Sequence, residues 1–204
     1  MILLKKAMTD KQIVELSLQN QERAHELLRK THIMEILSEA GTDAHIVGSL
    51  AMGLLINHLD IDIHVYSTDV TLQDSFAIMA KIAENESVIK IECRNLLHTE
   101  EACIEWHVWV KDDEDKTWQI DIIHILRGSR YDGFFERMAE RIYDVLTTET
   151  RTTILRLKYE TSGNEHVMGV EYYQAVLRDG IRTLSQFNKW RELHKPNGII
   201  EWVP

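Results

Sequence analysis

Apolar and polar residues alternate strictly over residues 59–65, with Leu59, Ile61, Ile63 and Val65 apolar and Asp60, Asp62 and His64 polar. Alternation with a period of two residues is typical of a β-strand that buries one face. The three polar side chains therefore share the other face. Two carboxylates two residues apart on one face repel each other unless a cation lies between them, and oxygen ligands favour a hard divalent cation. This stretch thus predicts a strand with a candidate metal site.

Similar patterns predict the other elements in the first two thirds of the chain. A capping box at Thr9–Gln12 precedes a long amphipathic helix, and a second helical piece ends near Gly41. A short strand is then expected over 44–47, a helix over 50–56, a helix over 72–83, and strands over 88–96, 102–111 and 117–126. The acidic run 112–115 fits the exposed tip of a hairpin.

From residue 131 onward the alternation disappears and helical spacing replaces it. Helices are predicted over 134–145, 148–159, 170–177 and 184–193, with breaks at Gly163-Asn164 and Pro196-Asn197-Gly198. Residues 199–203 are expected to form a docked tail or an edge strand. The fold class expected is α/β (α+β), with a mixed sheet that carries helices on one face. Residues 1–128 would form the main domain with its N-terminal helices, and residues 129–204 a small helical part packed on it.

Gly48-Ser49 lies where the short strand turns into the next predicted helix, so its free backbone N–H groups are suited to a phosphate. Gly48-Ser49 followed by Asp60-Ile61-Asp62 resembles the signature of the nucleotidyltransferase superfamily, the DNA polymerase β-like fold. In that signature a third acidic residue follows on a later strand, and Asp121 is the candidate here. The resemblance covers roughly residues 43–126.

The resemblance implies a small, stand-alone, magnesium-dependent nucleotidyltransferase. It implies that Asp60, Asp62 and Asp121 are catalytic residues that hold two Mg²⁺ ions roughly 4 Å apart, and that Gly48 and Ser49 bind the triphosphate. An acceptor hydroxyl or phosphate would attack the α-phosphorus of a nucleoside triphosphate such as ATP, and pyrophosphate would leave. The acceptor is not identified; a small molecule or a protein is expected.

Other interpretations remain open. Many superfamily members that act on small molecules carry an Arg soon after the Gly-Ser, where this chain has Leu50-Ala51-Met52-Gly53. That departure keeps open a catalytically silent protein of the same fold that binds a toxin–antitoxin or regulatory partner. A metal-dependent phosphohydrolase is less favoured, because the ten histidines show no ligand spacing. Lys158, Tyr172 and Tyr173 could meet a triphosphate or base across a cleft, but helix amphipathicity explains them nearly as well, and they are left outside the predicted site.

The amino-acid composition limits the classes of partner that are expected. With 33 acidic and 23 basic residues among 204, the formal charge is −10, which argues against nucleic acid as a general partner because no basic excess displaces its counterions. The negative charge of the protein is compatible with a small cationic substrate. Cys93 and Cys103 have no metal-ligand spacing, so a reduced, cytoplasmic protein is expected. The apolar start of the chain is too short for a signal peptide and no apolar run reaches membrane-spanning length, so no membrane association is expected. The oligomeric state cannot be read from these features.

Overall fold

A mixed sheet with the strand order β1-β2-β5-β4-β3 organises the computed structural model, which describes residues 7–162, 167–195 and 198–204. The strands are β1 (Asp43–Val47), β2 (Asp60–Ser67), β3 (Val88–Asn95), β4 (Cys103–Lys111) and β5 (Thr117–Leu126). Strands β2 and β5 pair in parallel, and the other pairs are antiparallel. A mixed sheet with packed helices confirms the predicted α+β fold class.

The apolar face of the sheet is covered by three helices, α1 (Asp10–Thr31), α2 (Ile33–Glu39) and α4 (Leu72–Ile82), the last numbered after the short α3 described below. Helix α1 begins with the predicted capping box, in which Thr9 and Gln12 bond each other's backbone N–H. Helix α4 buries Ser75, Ile78, Met79 and Ile82. Alternate residues of the strands, such as Ile61, Ile63 and Ile120, meet these helices in one continuous core.

The predicted helix over 50–56 is wrong. Helix α3 spans only Gly48–Ala51, and the chain then turns at Gly53, whose φ is +66°. Arg151 fixes this turn, because its Nη1 donates to the carbonyl oxygens of Met52 at 2.8 Å and of Gly53 at 2.9 Å. The residues that follow, Leu54–Ile56, are buried without forming a helix. A short apolar run fits a buried loop as well as a buried helix, so periodicity could not separate the two.

The polar residues of the four strands β2, β5, β4 and β3 lie on the same face of the sheet. One row across the sheet reads Asp62, Asp121, His107 and Glu92, and the next row reads His64, Ile123, Glu105 and Arg94. A bulge between Val88 and Lys90 restores the alternation of β3, whose apolar residues are otherwise out of phase. The predicted wet face is therefore real, although Tyr131, Phe134 and Phe135 cover its end beside Tyr66.

The C-terminal part contains α5 (Phe134–Val145), α6 (Thr148–Thr161), α7 (Gly169–Tyr173) with a π-helical turn (Gln174–Arg178), and α8 (Leu184–Leu193). These helices form a second core together with Ile13 of α1 and the loop residues Met52, Leu54 and Ile56. The C-terminal helices thus pack directly against the N-terminal part, and the proposed boundary after residue 128 stays a prediction. The predicted break at Gly163-Asn164 lies outside the described residues, as do Pro196 and Asn197 of the second predicted break, whereas its Gly198 is described and has a φ of +81°.

Residues 199–203 form a docked tail and not an edge strand. The Glu201 carboxylate anchors it, since Glu201 Oε1 accepts a hydrogen bond from Tyr131 at 3.2 Å and lies 2.6 Å from Arg130 Nη2. Within the described ranges, none of the helices has the length and apolarity that crossing a bilayer demands.

Candidate functional site

A pocket of about 420 Å³ opens between the polar face of the sheet and the C-terminal helices. Its walls include all five residues of the predicted site: Gly48, Ser49, Asp60, Asp62 and Asp121. They also include three residues that the sequence analysis left outside it, Lys158, Tyr172 and Tyr173. The parallel pairing of β2 with β5 accounts for the meeting of the acids, because it sets Asp62 directly beside Asp121.

Gly48 allows the loop after β1 to close on Asp62. Its φ is +62°, and a Cβ built on it would lie 1.9 Å from Asp62 Oδ2. The backbone N–H of the next residue, Ser49, favours the charged form of the Asp62 carboxylate and so acts to lower its pKa. A helix of one turn has little macrodipole to offer an anion. Gly48 and Ser49 line the same pocket as the three acids, and their role in binding a triphosphate stays a prediction.

Asp62 lies in an environment that disfavours its charge. Burial, together with the carboxylates of Asp60 and Asp121, raises the pKa of Asp62 to about 7. The Lys158 ammonium and the Ser49 N–H act in the opposite direction. The site thus collects more negative charge than its one buried lysine compensates.

Lys158 comes from the last turn of α6 and is only 6% exposed. Its Nζ donates to Ser49 Oγ at 2.7 Å and to the carbonyl oxygen of Leu54 at 3.0 Å. Burial lowers the pKa of Lys158, while Asp60 and Asp62 raise it. The available sequence signal was weak: a lysine that follows the apolar Ile154, Leu155 and Leu157 on a buried helix is unusual, because lysines are rarely buried unless paired.

Tyr173 completes the wall on the helical side. Its hydroxyl lies 3.3 Å from Ser49 Oγ, and burial raises its pKa well above the ordinary range, so it stays protonated. The neighbouring Tyr172 is turned toward Thr161, with 2.6 Å between the two hydroxyl oxygens. Of the two tyrosines, Tyr173 is thus the one that reaches the Ser49 hydroxyl.

Asp121 is held from its own side of the sheet. His107 Nδ1 lies 2.6 Å from Asp121 Oδ1, and Gln119 Nε2 donates to the same oxygen at 2.8 Å. Among the residues that the structure describes, only Glu101, Cys103 and Glu105 bring three potential metal-ligand atoms within 4.8 Å of one another. The oxygens of Asp60, Asp62 and Asp121 share a pocket but are spaced more widely than that.

His64 continues the face beyond Asp62 and is 7% exposed. Its ring packs edge-on against Phe135, and its Nδ1 lies 3.8 Å from Glu136 Oε1 without a hydrogen bond. Burial lowers the pKa of His64 to about 4, so the imidazole is neutral near pH 7. It forms part of the pocket wall.

No family model and no curated protein matches the chain. Solved structures do match. The poly(A) polymerase complex GLD-2–GLD-3 matches with 13% identity and a TM-score of 0.53, over 81% of this chain and 57% of that one. A cytoplasmic RNA terminal U-transferase matches with 14% identity and a TM-score of 0.56, over 82% and 50%. A mutant of the Cid1 poly(U) polymerase bound to MgATP matches with 14% identity and a TM-score of 0.58, over 82% and 54%.

These matches identify the fold. The poly(A) and poly(U) polymerases have the nucleotidyltransferase fold, and this chain shares it, which confirms the fold expected from the resemblance. The chain spans between 50% and 57% of the length of the three structures named above. At this level of identity the similarity shows the fold alone.

Proposed function

We propose that the chain is a magnesium-dependent nucleotidyltransferase that moves a nucleoside monophosphate from a triphosphate to an acceptor. The observation that carries this proposal is the single pocket that joins Gly48, Ser49, Asp60, Asp62 and Asp121 and adds the buried Lys158. The fold supports it, since the three matched structures are named as a poly(A) polymerase, an RNA terminal U-transferase and a poly(U) polymerase.

The residues of the pocket fit divalent metal ions of the magnesium type. The three acids offer carboxylate oxygens, which are the ligands that Mg²⁺ prefers. Their excess negative charge, seen in the raised pKa of Asp62, is what a divalent cation would neutralise. Asp60, Asp62 and Asp121 would hold the metal ions, and the bound metal would polarise the transferred phosphoryl group and stabilise its developing charge.

The chain's own groups would position the two substrates. Lys158 and the Ser49 hydroxyl face the same part of the pocket, so the lysine would bind the triphosphate as a fixed positive charge while Ser49 donates a hydrogen bond. Asp121, oriented by His107 and Gln119, would lie nearest the attacking oxygen of the acceptor. Transfer of this kind depends mainly on positioning and charge stabilisation, which such groups can supply.

The acceptor remains the open part of the proposal. The expectation that nucleic acid is disfavoured rests on the charge of −10, and the comparisons give it no support, because the matched structures include a poly(A) polymerase and an RNA terminal U-transferase. A small-molecule or protein acceptor is retained here, with RNA as the alternative that an assay must include.

Isothermal titration with a non-hydrolysable ATP analogue, with and without Mg²⁺, tests the nucleotide site. We expect binding that requires Mg²⁺ and is lost in the variant with Asp60→Asn and Asp62→Asn. The matched control is Asp113→Asn with Asp115→Asn, two acids at the same spacing on the exposed β4–β5 hairpin. Absence of binding by the folded wild-type protein would reject the proposal.

A second candidate function is a catalytically silent protein of the same fold that binds a partner. The wide spacing of the three carboxylates favours it. Among the described residues, Asp60, Asp62 and Asp121 do not bring three ligand atoms within 4.8 Å of one another. Metal-dependent nucleotide binding without pyrophosphate release, over a panel of small hydroxyl compounds, proteins and short RNAs, would select this candidate.

A further inference from the structure

Strand β3 forms an edge of the sheet. It pairs with β4, and no other strand of the described residues lies on its outer side. The Leu96 N–H donates to the carbonyl oxygen of Cys103 at the end of this pairing, which fixes the hydrogen-bonding phase of β3. Because this phase alternates along an antiparallel pair, the backbone groups of Ile91, Cys93 and Asn95 point away from β4. They present donors and acceptors with which another strand could pair.

The charged residues of this edge strand alternate in sign. Lys90, Glu92 and Arg94 are successive residues on the polar face of β3. Charged side chains often protect an edge against a further strand. Here, however, an antiparallel strand of the same sequence would meet attraction in some registers and repulsion in others, because opposite charges stabilise a cross-strand pair and like charges destabilise it. The strand is therefore complementary to itself in selected registers.

Two of the symmetric registers are unfavourable. The pairing must place outward-pointing residues opposite one another, so a two-fold axis can pass through a residue of β3. An axis at Glu92 would set this carboxylate against its own copy and Lys90 against Arg94, which are like charges. An axis at Ile91 would draw the bulge between Val88 and Lys90 into the pairing and interrupt it.

An axis at Cys93 avoids both problems. Residues 90–96 lie beyond the bulge and would pair with the same residues of a second copy. Glu92 then lies opposite Arg94 of the second copy, and by symmetry Arg94 lies opposite its Glu92. The side chains of Glu92 and Arg94 are 54% and 67% exposed, although each also has an ion-pair partner in its own copy, so both can reach a second one.

Helix α4 adds apolar surface beside the same edge. Phe76 is 50% exposed, and its ring packs edge-on against Trp106, which is the neighbour of Cys93 across β3 and β4. The other flank of α4, with Asp74 and Lys81, lines a cavity beside the end of α2. Phe76 therefore faces the β3 side of the fold, where a second copy would cover it.

We propose that two copies of the chain associate through β3, about a two-fold axis at Cys93, and join their two five-stranded sheets into one continuous sheet. The association pairs the outward backbone groups of both edge strands, joins Glu92 to Arg94 twice across the axis, and buries Phe76 of each copy. A two-fold, self-complementary interface is the commonest kind among homo-oligomers. The proposal is independent of the proposed nucleotidyl transfer.

The dimer leaves both candidate active sites open. The pocket lies over β2 and β5, which are separated from the β3 edge by β4. A two-fold axis perpendicular to the sheet keeps the polar faces of both copies on one side. The two Asp121 residues would then be five strand spacings apart, roughly 24 Å.

Sedimentation velocity of the full chain, from about 1 to about 100 µM, tests the association. We expect a mass that rises with concentration from 23.8 kDa toward twice that value. Cys93→Pro removes an N–H that points away from β4, so the monomer should stay folded while the Kd of the dimer rises about tenfold or more. Cys93→Ala is the matched control, because it keeps the N–H and should dimerise like the wild type.

The charge pairs are tested separately. Glu92→Lys places like charges opposite each other twice across the axis, so the Kd of the dimer should again rise about tenfold or more. Glu39→Lys, on the exposed side of α2, makes the same change of charge away from the edge and should leave the Kd unchanged. Circular dichroism establishes that each variant is folded.

The register is tested with the thiol oxidant diamide. In a hydrogen-bonded antiparallel pair the two Cys93 Cα atoms would be about 5.5 Å apart, which suits a disulfide. Diamide should therefore give a covalent dimer on a non-reducing gel in the wild type and in Cys103→Ser, and none in Cys93→Ala. A monomer at every concentration, a dimer that Cys93→Pro or Glu92→Lys leaves unchanged, or a dimer that diamide does not join through Cys93 overturns the proposal.

Discussion

Lys158 Nζ donates a hydrogen bond of 2.7 Å to Ser49 Oγ, which joins the last turn of α6 to the short helix α3 that follows β1. These residues are 109 positions apart in the chain. The contact brings the one buried ammonium of the pocket to the segment whose Gly48 lies against the Asp62 carboxylate. A hydrogen bond thus connects the two sides of the proposed active site. The sequence around either residue does not predict this contact.

Replacement of this ammonium tests its role in nucleotide binding. Lys158→Met keeps the length of the side chain and removes the charge, so we expect affinity for the ATP analogue with Mg²⁺ to fall about tenfold or more. Lys189→Met on the exposed face of α8 is the control and should bind normally. Titration calorimetry measures both, with circular dichroism to establish folding. Unchanged affinity in folded Lys158→Met would remove the lysine from the proposed site.

Gly48 should tolerate no side chain. Gly48→Ala introduces a Cβ at 1.9 Å from Asp62 Oδ2 and forces alanine into a left-handed conformation. Gly180→Ala is the matched control, since Gly180 has φ of +68° and no atom within 4 Å of the position that a Cβ would take. Both variants should lose about 1–2 kcal/mol from the backbone. Only Gly48→Ala should also lose metal-dependent nucleotide binding, and an equal loss of binding in the two variants would contradict this explanation.

Ser17 connects α1 to the loop that frames the pocket. Its Oγ is buried and donates to the carbonyl oxygen of Leu55 at 2.7 Å. Ser17→Ala leaves that carbonyl without its partner, so the free energy of unfolding should fall by about 1–3 kcal/mol. Ser38→Ala on the exposed side of α2 should change it by less than about 0.5 kcal/mol. Urea denaturation distinguishes the two, and equal effects would mean that the buried bond contributes little.

His124 should make the protein less stable in acid. It lies on the buried face of β5 beside Ser67, and burial lowers its pKa from 6.5 to about 4. Between these values the unfolded chain binds the proton and the folded chain does not, so this stabilisation is complete above about pH 6.5 and is lost as the pH falls toward 4.

The measurement is the urea midpoint from pH 7 to pH 4.5 for the wild type and His124→Gln. The wild type should lose up to about 1.4 kcal/mol per pH unit more than the variant over this range. Asp62 contributes with the opposite sign, because its folded pKa is raised, and the comparison of the two proteins cancels that contribution. Parallel pH profiles would show that His124 is not the group responsible.

Local patterns predicted the elements well where one periodicity dominated. The alternation of β2, the capping box at Thr9 and the hairpin between β4 and β5 all appear in the structure where the sequence indicated them. The prediction failed at α3, because a run of apolar residues carries no information about whether its backbone is helical or irregular. There Gly53 and the distant Arg151 decide the backbone.

The sequence by itself determined which faces of the strands are polar and that Asp60, Asp62 and His64 share one of them, because side chains alternate along any strand. Only the tertiary structure decided that Asp121 lies beside Asp62, that His107 orients Asp121, and that Lys158 reaches Ser49. Each of these contacts depends on strand order and helix docking, which result from burial summed over two cores. No local pattern specifies strand order or helix docking. The candidate site lies where the sheet and the docked C-terminal helices meet.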